Sequence, residues 1–469
     1  MSKRKTSYIR RGVFWNSLNS IARYGITFLG TIILARMLSP EDYGLIGILT
    51  VFISVAEVLI DAGLGGAVIK KNNATAIDYS TLTVYNLCAS IVIYVIFFVI
   101  APYVGSFYDK PVLERLLRLY SIVILIYSFT IVPRVQLIKQ LRFKELSLIS
   151  LISGIGGLVT AIVMAYLGFG TFSLIGQYIC NALITTILVW VVSHYKITFQ
   201  FSYASFKEQF AFGMNTTLAN SLKAISENIY ANVIGKTSSI HQTGYYTQSS
   251  RLSAVPTNFL SSLIDNTFFP IFSQETDKNE FSTKLSRLNQ RTCCITVLMF
   301  GSAVPVCHEL ILILLGEQWL EAEQTLEILL VGSMFMSIAF IGRNILKCLA
   351  KTFLILKIEI YLILFSFLLL VIASFGGYYY IVICLLCASI VKAFCMNYIA
   401  YRQLGIGVMS LFKPVLIVVG WTAMATACAY SVKFFNLIFY ESLALKLAFY
   451  IAVISLGMIL NKKYDIVKI

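Results

Sequence analysis

Along the chain, long apolar runs alternate with short polar breaks, and each run approaches the ~20 residues a helix needs to cross a bilayer. Such runs begin near Gly12, Tyr43, Tyr79, Leu119, Glu145, Gly170 and Phe212, and again near Gly244, Thr292, Ala322, Phe353, Gly377, Val415 and Ser442. Most breaks are brief, as at Met37 to Asp42, Lys70 to Asp78, Lys139 to Lys144 and Gly235 to Thr243. The longest are His194 to Lys207 and Ser273 to Arg291. Hydrocarbon offers the backbone no hydrogen-bond partner, so runs of this length and apolarity are read as helices. The pattern predicts an all-α polytopic membrane protein of about fourteen transmembrane helices. No break is long enough to be a soluble domain.

Composition sharpens the exclusions. Of 469 residues, 58% are hydrophobic and 13% charged, against about 45–50% and about 25% in soluble domains. A soluble enzyme, a secreted disulfide scaffold and a nucleic-acid-binding domain are excluded. The ten cysteines mostly lie inside apolar runs and read as small buried hydrophobes. Cys384-Leu-Leu-Cys387 has redox spacing but sits mid-span without a second pair. The first apolar stretch follows Met-Ser-Lys-Arg-Lys and carries Asn16, Asn19 and Arg23; with no small-residue cleavage site after it, it reads as a retained helix.

The net charge of +15 is informative through its placement. Most of the 37 Lys and Arg residues fall at the N-terminus and in every second break, among them Lys70, Lys71, Lys139, Arg142, Lys144, Lys284, Arg287, Lys347 and Lys351. The alternate breaks hold Lys110, Lys236 and Lys433, with Arg36, Arg115, Arg118 and Lys446 at helix ends. Short cytoplasmic loops carry the excess of basic residues, so both termini are predicted to be cytoplasmic.

Six basic residues remain inside spans: Arg23, Arg134, Lys223, Arg251, Arg343 and Lys392. A charge at membrane depth costs roughly 2.5–3.5 kcal/mol on insertion scales, so it faces a wet cavity or a partner. Arg134 and Arg343 lie near the basic ends of their spans, where long side chains snorkel. Arg23 and Lys223 fall near mid-span, on polar stripes at helical spacing: Asn16, Asn19, Arg23, Thr27 and Asn220, Lys223, Glu227. Arg251 and Lys392 are open to either reading. Glu57 and Asp61 share a face of the second span, and Asp265 lies low in the eighth. With Glu227, these acids are candidates for Na⁺ or H⁺ coupling or for helix-register salt bridges.

A shift of 200 residues aligns Leu18 with Leu218, Arg23 with Lys223, Arg36 with Lys236 and Gly44 with Gly244, without a gap. Both copies begin on the same side, six spans apart. Parallel repeats of this kind build transporters from two similar halves around a central cavity. The expected division is an N-terminal lobe over 1–200, a C-terminal lobe over 201–405, and two additional spans over 406–469. Two matched cations in the cavity call for an anionic substrate.

The stretch Ile33-Leu-Ala-Arg-Met-Leu-Ser-Pro-Glu-Asp-Tyr-Gly44 resembles the signature of bacterial polysaccharide and O-antigen flippases, within the multidrug/oligosaccharidyl-lipid/polysaccharide exporter superfamily. Ile234-Gly-Lys236 with Gly244-Tyr-Tyr246, Phe268-Phe-Pro-Ile-Phe272 and Leu315-Gly-Glu-Gln-Trp319 extend the resemblance over the chain. It implies two six-helix lobes plus two C-terminal helices. It also implies alternating-access flipping of an undecaprenyl-pyrophosphate-linked oligosaccharide in the bacterial inner membrane, as in lipopolysaccharide or other surface polysaccharide biosynthesis. Arg23, Lys223 and Arg251 would line the cavity, with Lys392 and Arg343 as further cations. The implied partners are the lipid-linked oligosaccharide, membrane lipids and a polysaccharide polymerase machinery, with the protein a monomer and no nucleic acid involved.

No catalytic constellation is present. His194, His241 and His308 lack partners at ligand spacing, so no metal is expected. No Walker motif supplies ATP chemistry; the expected cofactor list is empty apart from a coupling Na⁺ or H⁺. The alternatives are a drug or organic-cation antiporter of the same superfamily and a peptidoglycan-precursor flippase. A membrane-embedded glycan polymerase or ligase is disfavoured by the lack of a large loop on the predicted outer side.

Overall fold

The computed structural model describes residues 25–195, 198–272, 278–349, 351–405, 407, 409–432 and 439–464. All regular structure among them is helical. Two compact units divide the chain, Met1–Thr247 and Gln248–Ile469. The boundary falls inside one helix, whereas the predicted lobes follow the repeat.

The first unit holds α1 (described over Gly25–Met37), α2 (Pro40–Asp61), α3 (Leu64–Lys70), α4 (Ala76–Phe107) and α5 (Val112–Tyr120). It continues through α6 (Ile122–Lys139), α7 (Phe143–Tyr166), α8 (Thr171–Ser193), α9 (Tyr203–Thr237) and the start of α10 (Ile240–Phe272). Local sequence sets the starts. Ser39 caps α2, its hydroxyl accepting from the Asp42 N–H while the Asp42 carboxylate accepts from the Ser39 N–H at 2.9 Å. Pro40 then stands at the first helical position, where its missing N–H costs nothing. α2 and α3 form one broken span. Ala62 and Gly63 at the break have φ of 43° and 68°, and the Asp61 carboxyl lies beside the N–H groups of Gly63 and Gly65. Around this frame α7 packs on α8, α6 on α8, α4 on α6, and α2 along α9.

The second unit holds the rest of α10, α11 (Lys278–Ala303), α12 (Cys307–Leu314), α13 (Glu323–Cys348), α14 (Thr352–Ser374), α15 (Tyr378–Leu404), α16 (Met409–Ser431) and α17 (Phe439–Tyr464). α13 packs on α15, α11 on α16, and α16 on α17. Trp319, in the short turn before α13, is fully buried.

Among the described residues ten helical segments are long and apolar enough to cross a membrane, and the protein is a multi-pass, all-helical membrane protein. The other four predicted spans correspond to α1, α9, α10 and α17. The polar stripes of α9 and α10 lower their hydropathy. Two stretches read as breaks are partly helical: α9 begins at Tyr203 and α11 at Lys278. Hydropathy marks the slab of hydrocarbon, while a helix can continue into water on capping and its own hydrogen bonds.

Candidate functional site

α9 changes environment along its length. Thr217, Ala231 and Ile234 are buried, and the Asn228 amide donates to the Ser54 hydroxyl of α2 at 3.2 Å. Between Thr217 and Ala231, Asn220, Lys223 and Glu227 are exposed. Lys223 Nζ lies 3.7 Å from Glu227 Oε1, one helical turn away, with the side chains 52% and 62% exposed. A pair this loose and open gains little from its own attraction. Hydrocarbon could not solvate such a pair, which needs water or a polar ligand beside it.

Both ends of α9 are held within the first unit. At the end rich in Lys and Arg, Lys71 Nζ reaches Asp78 Oδ1 at 3.1 Å and Glu208 Oε2 at 2.9 Å. Glu208 and Asp78 together raise the Lys71 pKa above its ordinary value. The Ser205 hydroxyl donates to Asp78 at 2.5 Å. At the opposite end Lys236 donates to the Phe107 carbonyl at 2.5 Å and sits 4.7 Å from the centre of that ring. The Tyr108 hydroxyl donates to Asn232 Oδ1 at 2.9 Å, and burial pushes its pKa up to about 12.

Beside that second end, α2 crosses the start of α10. A Cβ on Gly44 would stand 2.1 Å from the Ile240 carbonyl oxygen, and a Cβ on Gly244 would stand 1.8 Å from the Pro40 carbonyl oxygen. Only glycine permits backbones so close. The 200-residue shift relates the two contacts, since Gly44 meets the mate of Pro40 and Gly244 meets Pro40 itself. The repeat seen in the sequence is therefore a local two-fold contact in space.

The remaining candidates separate by environment. Arg23 and the Asp265 side chain lie outside the described residues. Glu57, half-buried on α2, makes no ion pair among the described residues, whereas Asp61 lies at the α2–α3 break with Arg134 nearby. Arg251 on α10 and Lys392 on α15 are half-buried and engaged by neighbouring groups. Arg343 Nη1 lies 3.4 Å from Glu359 Oε1 of α14.

Sequence reading missed an ion pair enclosed on both sides. Lys446, taken as a helix-end residue, is 2% exposed and bonds Glu309 Oε1 at 2.6 Å; Glu309 is 3% exposed. The Ser442 hydroxyl donates to the same oxygen at 3.0 Å. The one available signal was the spacing of Ser442 and Lys446 on a single face of α17. No group of three or more His, Cys, Asp or Glu among the described residues could hold a metal ion.

The model of a family described as "Polysaccharide biosynthesis protein" matches residues 33–324, more than half of the chain. The chain belongs to this family. Named relatives within reach include the succinoglycan biosynthesis transport protein ExoT of Rhizobium meliloti (strain 1021), 27% identical over 68% of this chain and 65% of that protein. The chain thus spans just under two thirds of that relative's length. The teichuronic acid biosynthesis protein TuaB of Bacillus subtilis (strain 168) is 24% identical over 70% of this chain and 68% of that one. The lipopolysaccharide biosynthesis protein WzxC of Escherichia coli (strain K12) is 22% identical over 70% and 67%. Among solved structures, the lipid II flippase MurJ in an inward closed conformation matches with TM-score 0.74 at 14% identity, covering 96% of this chain and 99% of that one. An inward-facing multidrug resistance transporter of the MATE family matches with TM-score 0.60 at 14% identity, over 82% and 98%. The polysaccharide biosynthesis family here takes the helical transporter fold of those two proteins.

Proposed function

We propose that this protein flips an undecaprenyl-pyrophosphate-linked oligosaccharide from the cytoplasmic to the outer leaflet of the bacterial inner membrane by alternating access, for surface polysaccharide biosynthesis. The observation that carries the proposal is the open, charged stretch of α9, where Lys223 and Glu227 are both exposed. A pyrophosphate head group cannot cross hydrocarbon unaided; an ammonium in a wet path offers it charge-assisted hydrogen bonds. Arg23, at the repeat position of Lys223, adds a guanidinium suited to bidentate phosphate binding. Arg251 and Lys392 extend the cationic set, while Arg343, already beside Glu359, is the weakest member. Family membership and relatives named for polysaccharide biosynthesis support this reading.

The protein acts as a transporter and not as an enzyme, and both termini lie in the cytoplasm. It works as a monomer and delivers its cargo to a polymerase machinery. If an Na⁺ or H⁺ gradient drives the cycle, Glu57, Asp61 and Asp265 are the acids available for it, since Glu227 already faces Lys223. The test is analysis of lipid-linked glycans in a strain lacking the gene. Accumulation of the undecaprenyl-linked oligosaccharide with loss of surface polysaccharide is expected. An unchanged glycolipid pool with new sensitivity to cationic drugs would replace the proposal with the antiporter reading, and accumulated peptidoglycan precursor with the other alternative.

A further inference from the structure

The segment joining α8 to α9 is bolted to α4 and has an unusual aromatic edge. Its first residue after the αL turn at His194 is Tyr195, whose hydroxyl lies 3.1 Å from that of Thr83. Farther on, the Ser80 hydroxyl donates to the Thr198 carbonyl and accepts from the Gln200 N–H at 2.7 Å. The Thr81 hydroxyl accepts from the Ser202 N–H at 3.1 Å. Two alternate N–H groups turned to one helix mean an extended strand, whose side chains alternate between two faces.

On one of those faces stand Phe199 and Phe201, 72% and 51% exposed, and Tyr203, which opens α9 just beyond, is 71% exposed. Phe201 shows where that face points. Its ring is 5.8 Å from Phe206, which lies 5.3 Å from Phe210, one turn deeper along α9, and 5.6 Å from Tyr85 of α4. The ladder runs from the strand along the helices toward the membrane interior. The extended segment itself lies at the level where α4 begins and α8 ends.

We infer that residues 198–203 form an interfacial lipid anchor, with Phe199, Phe201 and Tyr203 seated among the head groups of the adjacent leaflet. Aromatic rings with an apolar body favour that layer. The hydroxyls of Ser80 and Thr81 fix the extended segment so that the rings of Phe199 and Phe201 turn the same way. The anchor rests on the membrane fold and does not depend on the cargo.

The test places p-benzoylphenylalanine in turn at Phe199, Gln200, Phe201 and Tyr203 in the full-length protein. Each variant is reconstituted into phosphatidylethanolamine–phosphatidylglycerol vesicles, irradiated, and weighed intact. Phospholipid adducts are expected at 199, 201 and 203, several-fold above those at 200, where the side chain leaves the other face. Equal yields at all four sites, absence of lipid adducts, or adducts to another protein would overturn the inference. If a photoprobe variant fails to elute as folded protein, Phe201→Trp in the same vesicles decides the matter. Its added fluorescence should be quenched by brominated lipid; quenching by aqueous iodide alone would overturn the anchor.

Discussion

Two Lys–Glu pairs, one in each compact unit, have the same chemistry and opposite circumstances. Lys223 and Glu227 stand 3.7 Å apart on an open helix face. Lys446 and Glu309 meet at 2.6 Å with almost no exposure, and Glu309 Oε2 accepts no hydrogen bond among the described residues. The first pair is weakly coupled and available to a ligand. The second joins α12 to α17 and is available to nothing. Charge in a membrane helix is thus no indicator of transport by itself; exposure and separation decide which charges a cargo can reach.

The comparison breaks most sharply at the buried pair. Lys446→Met leaves Glu309 enclosed and uncompensated, and should destabilise the fold by about 3–5 kcal/mol. Thermal unfolding in detergent checks it, and Glu309→Leu combined with Lys446→Met should recover most of the loss. Next in size is the crossing of α2 and α10. Gly244→Ala places a methyl against the Pro40 carbonyl and should cost about 1–3 kcal/mol by forcing the backbones apart, read by the same unfolding assay.

Lys223→Ala should leave stability within about 1 kcal/mol, as for other exposed pairs, yet abolish surface glycan in a complementation assay. Retained glycan would remove Lys223 from the transport path. The smallest effect belongs to Lys71, whose pKa Glu208 and Asp78 hold above the ordinary 10.5. A raised folded-state value makes its contribution complete below pH 10.5 and lost as pH rises through the folded value. Lys71→Met should therefore lower stability by no more than about 1 kcal/mol at neutral pH, and the difference from the parent should shrink in strongly alkaline buffer.

Hydropathy made the spans legible because the bilayer imposes one length on every crossing helix. The Gly44–Gly244 relation was legible too, since a repeat leaves the same residue at the same offset. The break at Ala62–Gly63 was not read, and with it went the place of Asp61 beside that break. Lys446 was misplaced for a different reason: its partner lies 137 residues away, and only packing brings α12 and α17 together. The polar starts of α9 and α11 escaped because their residues read as breaks although the chain there is helical.

The paired glycine contacts at the α2–α10 crossing carry a genetic consequence. In a parallel homodimer a single glycine codon and a single carbonyl would generate both contacts through the dyad. Here they are written twice in one reading frame. Each copy can drift alone, so a change at position 44 alters one contact and leaves its mate at 244 intact, a partial lesion that no symmetric ancestor could display.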